Sequence, residues 1–239
     1  MTPIKELFKK SWEIFKSNYK EFLFASAALS VVMLLFVMAL PANEAQSETM
    51  QWSLGAFVLL ILVIIGSLWT ELALLYLALN PTQTAKDAFA ETVGKMASLL
   101  WIAVLTFLSM LGGFVLLIIP GIIFAIWFSF TADVLVAEGV KGTSALKRSK
   151  ELVKGHTAEV FARWFVLGLI YIAASLVIGL IFENKSNSYD VANAIVSFVL
   201  TPFAAVYSIQ MYKNLKELKE APVDSVPPVE MPLPPNPVQ

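Results

Sequence analysis

The chain has 239 residues, of which 58% are apolar and 15% charged, and a formal net charge of −1. Soluble domains run at roughly 45–50% apolar and about 25% charged, so this composition excludes an ordinary soluble domain and points to an integral membrane protein. The absence of cysteine excludes disulfides, thiol nucleophiles and thiolate metal sites; a single histidine, His156, leaves no zinc-type ligand set, so no metal or other cofactor is expected.

The first segment, "TPIKELFKKSWEIFKSNYKEF", places Ile4, Leu7, Phe8, Trp12, Phe15, Tyr19 and Phe22 on one helical face, with its lysines mostly elsewhere. Pro3 suits the first helical position, with Thr2 as cap. The apolar run Phe22–Leu40 follows. It is longer than the 7–15 residues of a signal-peptide core and comes after an amphipathic segment, so it reads as a retained crossing. A second crossing lies within Gln51–Leu79. The intervening "TAKDAFAETVGKM" repeats the amphipathic rhythm through Ala85, Ala88, Phe89, Thr92, Val93 and Met96, opened by a capping box at Thr84–Asp87.

Residues 97–136 contain no polar loop yet are too long for one crossing of a hydrocarbon core about 30 Å thick. The expected division is about Ala97–Gly112 and about Phe114–Val136, with Leu111–Gly113 and Pro120–Gly121 as the available breakers. A helix interrupted near Pro120, or a re-entrant pair, is the alternative. Residues 137–159 then form the most charged island, with five of the 17 basic residues. Thr143 or Ser144 offers a cap; Ala145, Leu146, Ser149, Leu152 and Val153 share a face; Gly155 stops the helix. The plainest reading is an interfacial helix with its apolar face in the acyl boundary and its cations toward anionic headgroups. Glu138, Glu151 and Glu159 among those cations argue against nucleic acid, and nothing orients His156 for catalysis.

The last crossings are about Val160–Phe182 and about Val191–Met211. The expected fold is therefore all-α, with six transmembrane helices and three amphipathic helices lying at the cytoplasmic interface. The polytopic domain is 1–212 and the tail 213–239, with disorder from about 221, where seven of the 12 prolines fall. That tail is expected to be solvated, a proline-reading protein partner being the alternative. Sixteen of 17 basic residues fall on one side of this topology, which places both termini in the cytoplasm. Residues 8–23 and 146–161 align without gaps, pairing Lys9 with Lys147, Ser11 with Ser149, Glu13 with Glu151, Lys16 with Lys154 and Glu21 with Glu159. This suggests three units of interfacial helix plus hairpin.

Three ionisable residues lie inside apolar runs. Glu71 is nine residues from Asn80, roughly 13 Å deep at 1.5 Å per residue, where an unpaired carboxylate costs about 2.5–3.5 kcal/mol or more. Asp133 and Arg163 sit at similar depth near the ends of their crossings, as an ion pair between adjacent helices would require. Each of the three has two readings: an ion relay or polar substrate pocket, or a helix-to-helix tie, with snorkelling added for Arg163. Gly66, Gly168 and Gly179 read as close-packing points.

At "IPGIIFAIWFSFTADVLVAEGVKGTSALKRSKELVKG" the chain resembles the membrane domain of bacterial glycerophosphoryl diester phosphodiesterases and related six-helix membrane proteins. The matching residues are Pro120, Gly121, Glu138, Ala145, Leu146, Arg148, Ser149, Leu152, Val153 and Gly155; "SWEIFKSNYKEFL" is similar to that family's start. In those enzymes hydrolysis belongs to a separate soluble domain that has no counterpart here. The resemblance thus implies a membrane module in a bacterial inner membrane and no diesterase activity. No catalytic constellation is apparent. The expected function is that of a non-enzymatic scaffold or module binding a partner or lipid. The alternative is a transporter or permease component with Glu71 as relay or substrate-binding group.

Overall fold

A computed structural model describes residues 2–27, 30, 54–116, 118–181 and 187–220. Among them the chain is helical and contains no strand. In chain order the helices are α1 (Ile4–Ser17), α2 (19–27), α3 (Leu54–Leu79), α4 (Ala85–Val93), α5 (Met96–Leu116), α6 (Ile118–Trp127), α7 (Thr131–Glu138), α8 (Gly142–Val153), α9 (Thr157–Ile181) and α10 (Asn187–Glu220). Five stretches are long and apolar enough to cross a membrane: Phe57–Leu79, Met96–Gly113, Ile119–Glu138, Thr157–Ile181 and Ile195–Glu220. The chain is thus a multi-pass, all-helical membrane protein. Most of the expected crossing Phe22–Leu40, and the tail from 221, lie outside the described residues.

The core sits where α1, α3, α7, α8 and α10 converge. Leu72, Leu77, Phe130, Leu135, Leu152, Tyr207, Ile209 and Leu215 are fully enclosed there. Outward faces are apolar, as a hydrocarbon solvent requires: Phe165, Leu169, Ile172 and Leu176 of α9 are all exposed.

The amphipathic helices do not float at a lipid boundary. In α8 the face of Ala145, Leu146, Ser149, Leu152 and Val153 is buried against α5, α6, α7 and α10, so its apolar stripe covers protein and not acyl chains, contrary to expectation. Lys150 lies 4.2 Å from the centre of the Trp127 ring, in cation–π range. Likewise α1 turns Leu7, Ser11 and Phe15 inward onto α10; the Phe8 ring lies tilted against Tyr207 at 4.7 Å and Phe15 meets Phe203 edge-on. Trp12 and Tyr19, expected on that same face, are exposed. Helix α1 packs on α10 and ends at Ser17, and the aromatic stripe is split between protein and surroundings.

Helix starts differ in detail from expectation. Helix α1 begins at Ile4 after Pro3 with no side-chain cap; Thr2 instead donates its N–H to Asn214 and accepts from Arg163 through its carbonyl. Helix α8 starts at Gly142 after Lys141, so neither Thr143 nor Ser144 caps it; Gly142 at φ 61° makes the turn without a side chain's help. Gly155 stands just past the helix end at φ 93°, a left-handed conformation that suits glycine. The capping box of α4 forms as read, with Thr84 and Asp87 exchanging hydrogen bonds that hold the Asp87 carboxyl below its ordinary range. The backbone N–H of Ala85 finds Glu21 at 2.7 Å, a carboxylate placed at a helix N-terminus from another segment.

The apolar stretch without a loop resolves into a helical hairpin followed by a break. Helices α5 and α6 pack along one another, and the expected breakers are contact points. A Cβ at Gly113 would stand 2.9 Å from the Gly121 Cα and 2.8 Å from the Phe124 ring. Missing side chains let the two backbones close up. Gly168, expected to pack closely, has nothing within 4 Å of such a Cβ and faces outward.

The helix interruption occurs at Phe128–Phe130, between α6 and α7, and not near Pro120. Its backbone groups need partners in a medium without water. Ser149 of α8 supplies them: its hydroxyl donates to the Trp127 carbonyl at 2.7 Å and accepts from the Phe130 N–H at 3.3 Å. Thr131 and Ser129 hydroxyls close on the Phe128 and Ile126 carbonyls.

Two matched substitutions test this packing. Gly112→Ala, in open space one residue from the contact, is expected to stabilise by up to about 1 kcal/mol from helix propensity, whereas Gly113→Ala is expected to destabilise. Ser149→Ala, which orphans a buried donor and acceptor together, is expected to lose about 1–3 kcal/mol. Reversible unfolding in detergent, followed by circular dichroism, measures all three.

Candidate functional site

Helices α3, α7, α9 and α10 line an open-sided cavity of about 340 Å³, at which Glu71 and Thr201 are exposed. Helix α3 contributes Ser67, Thr70, Glu71, Leu74 and Leu75, spaced so that one helical face looks inward. The break before α7 contributes Ser129, and α7 itself Asp133. Trp164 comes from α9, and Thr201, Ala204, Ala205 and Ser208 from α10. The α10 hydroxyls fall seven residues apart on one face, and Pro202 interrupts the backbone hydrogen-bond ladder beside them.

Glu71 and Asp133 therefore share one wall-to-wall space, which sequence spacing alone does not reveal. Asp133 is 2% exposed and accepts from the Ser208 hydroxyl through both carboxyl oxygens, at 3.0 and 3.1 Å. Glu71 is accessible at the cavity and has no hydrogen-bond or ion-pair partner among the described residues. The Trp164 indole Nε1–H is buried and likewise without an acceptor among them. The lining carries two carboxyl groups, five hydroxyls and no cationic side chain.

The expected ion pair between Asp133 and Arg163 is not formed. Arg163 lies nearly two turns inside α9 and turns toward its helix's own start. It donates to the Glu159 carbonyl at 3.0 Å, lies 3.6 Å from the Glu159 carboxylate and donates to the Thr2 carbonyl at 2.7 Å. Similar depth put the two charges in one layer, but the rotation of α9 sends the guanidinium to the chain's beginning. His156 lies 3.4 Å from Glu159.

A second polar cluster lies just over one turn along α7 from Asp133, where the end of α7 meets the middle of α8 and the last turns of α10. Glu138 accepts from Arg148 through two parallel bonds of 3.0 and 3.1 Å, from the Tyr212 hydroxyl at 2.6 Å and from Lys216 at 3.1 Å. Such a forked arginine–carboxylate pair fixes direction as well as distance. Arg148 also reaches Glu220, and together Glu138 and Glu220 hold its guanidinium still more firmly protonated than usual. Lys219 caps the Lys154 carbonyl, and Lys95 reaches the Val136 carbonyl at the end of α7.

Most of the residues that carry the family likeness find mechanical employment. Gly121 sits at the α5–α6 contact, Ala145 and Leu146 in the core, Ser149 at the break, Gly155 in the turn, and Glu138 with Arg148 in the outer cluster. No protein family, curated protein or solved structure matches the chain. The likeness accordingly stands on those residues alone.

Sequence reading passed over Ser208, Thr201 and Trp164. A signal for the first two was present, since hydroxyls at 201 and 208 punctuate an apolar run on one helical face.

Glu138→Ala strands three donors, and Arg148→Ala leaves Glu138 with Tyr212 and Lys216. The first is expected to cost about 1–3 kcal/mol and the second less, an order that unfolding of the two variants in detergent checks.

Proposed function

We propose that the protein is a non-enzymatic membrane binding protein of the transporter or permease kind, whose cavity accepts a small cation or cationic solute. The observation that carries this reading is the shared lining: Glu71 without a partner, Asp133 bonded only to a neutral hydroxyl, and no lysine or arginine facing either. An unneutralised carboxylate in a low-dielectric interior is costly, and a bound cation removes that cost. A volume of about 340 Å³ lies at the small end of ligand sites, and hydroxyls on three sides offer orienting bonds to an ammonium or a desolvated ion. Glu71 is the group in reach of an arriving ligand, and Asp133, held by Ser208, is the fixed second charge.

The topology we attach to this function has six crossings, the first being Phe22–Leu40, in a bacterial cytoplasmic membrane with both termini inside. Basic-residue asymmetry supports it. A three-unit repeat is supported by the buried hydroxyls Ser11, Thr92 and Ser149, one in each amphipathic helix.

The lack of native cysteine makes the test direct. Thr201→Cys is expected to react with a membrane-impermeant maleimide from at least one side, and millimolar methylammonium is expected to slow that reaction several-fold. In the Glu71→Gln/Asp133→Asn background the protection is expected to vanish. A cysteine sealed from both sides, or one whose labelling no cation slows, would overturn the proposal.

A further inference from the structure

A second cavity, of about 510 Å³, lies between α1 and the far end of α10, on the opposite flank of α10 from the Glu138 cluster. Its lining contains Lys9, Lys10 and Lys213 together with Glu6, Glu13 and Glu217. On the Glu138 flank the charges neutralise one another, through Arg148, Lys216 and Glu220. On this flank six charges of both signs surround one space, and no ion pair joins any of them among the described residues. Lys213 and Glu217 are four residues apart on one helix, where pairing is easy, yet stay apart.

Gln210 adds an independent sign. It is 3% exposed, lines the same cavity, and its Nε2 amide has no acceptor among the described residues. A buried donor without a partner costs about 1–3 kcal/mol, and an acceptor seated in the cavity relieves it. The cavity floor is Leu7, buried, and its rim is fixed by Thr2, which Asn214 and Arg163 hold.

The location narrows the occupant. Helix α10 has 34 residues, about 51 Å at 1.5 Å per residue, so its end stands beyond a hydrocarbon core of about 30 Å. Trp12 of α1 and Tyr19 at the start of α2 are exposed, as aromatic side chains are at the level of lipid headgroups. A ligand there carries an acceptor-rich anion for three ammonium groups and one amide, and a cation with hydrogen-bond donors for three carboxylates.

We infer that this cavity binds the headgroup of a phospholipid bearing a primary amine, its phosphate among Lys9, Lys10, Lys213 and Gln210 and its ammonium toward Glu6, Glu13 and Glu217. A primary ammonium donates three hydrogen bonds, whereas a trimethylated one donates none. Headgroup selectivity follows from that difference.

Full-length protein in detergent containing equal amounts of phosphatidylethanolamine and phosphatidylcholine, with matched acyl chains, is analysed by native mass spectrometry. One retained phosphatidylethanolamine per chain is expected, favoured by about tenfold, the factor that one lost charge-assisted hydrogen bond is worth. Lys10→Gln/Lys213→Gln is expected to lose both lipids. Glu6→Gln/Glu13→Gln, on the exposed side of α1 and harmless to its packing, is expected to keep a lipid but lose the preference. Lys86→Gln/Lys147→Gln, with the same charge change elsewhere, is expected to bind as the unaltered chain does. Equal retention of the two lipids by the unaltered chain would overturn the proposal. So would equal loss in the Lys86/Lys147 control, or displacement of the lipid by millimolar inorganic phosphate.

Discussion

The structure depends on one small hydroxyl. A membrane-spanning helix that stops and restarts must find partners for its freed backbone groups without water, and at Phe128–Phe130 those partners come from Ser149. To deliver that hydroxyl, α8 must lie with its apolar face against α5, α6, α7 and α10. This explains why a helix whose composition suits a lipid surface is built into the protein. The break in turn frees α7 from the line of α6 and carries Asp133 into the wall of the acidic cavity. The architecture of the site and the burial of α8 are consequences of the same backbone requirement.

Two layers of carboxylate chemistry then stand one turn apart. Glu138 is surrounded by Arg148, Tyr212 and Lys216, so its charge is spent on joining α7 to α8 and α10. Asp133 and Glu71 have no cation facing them. The contrast separates a structural carboxylate from carboxylates available to a ligand more sharply than depth in the membrane does, because both kinds occur within the apolar runs or at their ends. Arg163 illustrates the same point: buried and charged, it is occupied by Glu159 and Thr2 and leaves nothing over.

Much of the fold was legible because hydrocarbon imposes long apolar runs and because caps and turns are local. The crossings after Gln51, the capping box at Thr84–Asp87 and the turn at Gly155 all depend on residues within a few positions of one another. What was not legible depends on helix rotation and on partners distant in sequence. Asp133 meets Ser208 across 75 positions and Ser149 reaches back 22 to Trp127, and no periodicity encodes either meeting. Gly113 and Gly121 were visible as glycine and read as breakers, because a small residue marks a turn and a close approach equally well. Glu71 stands in the apolar stretch Phe57–Leu79; its cavity neighbour Asp133 was expected to meet Arg163 and meets Ser208 instead, because depth fixes a layer and not an azimuth.

The break at Phe128–Phe130 also bears on how the chain is assembled. The α6–α7 stretch emerges from the ribosome before Ser149, and well before Ser208, so its opened backbone and its aspartate enter the bilayer ahead of the groups that complete them. Chains are made at about 5–20 residues per second, which leaves this crossing incomplete for seconds until α10 arrives. The middle of the protein is therefore sealed by a helix synthesised well after the stretch it completes. A ribosome stalled before residue 208 would leave a nascent chain whose Ile119–Glu138 stretch is held in the membrane by hydrophobicity alone.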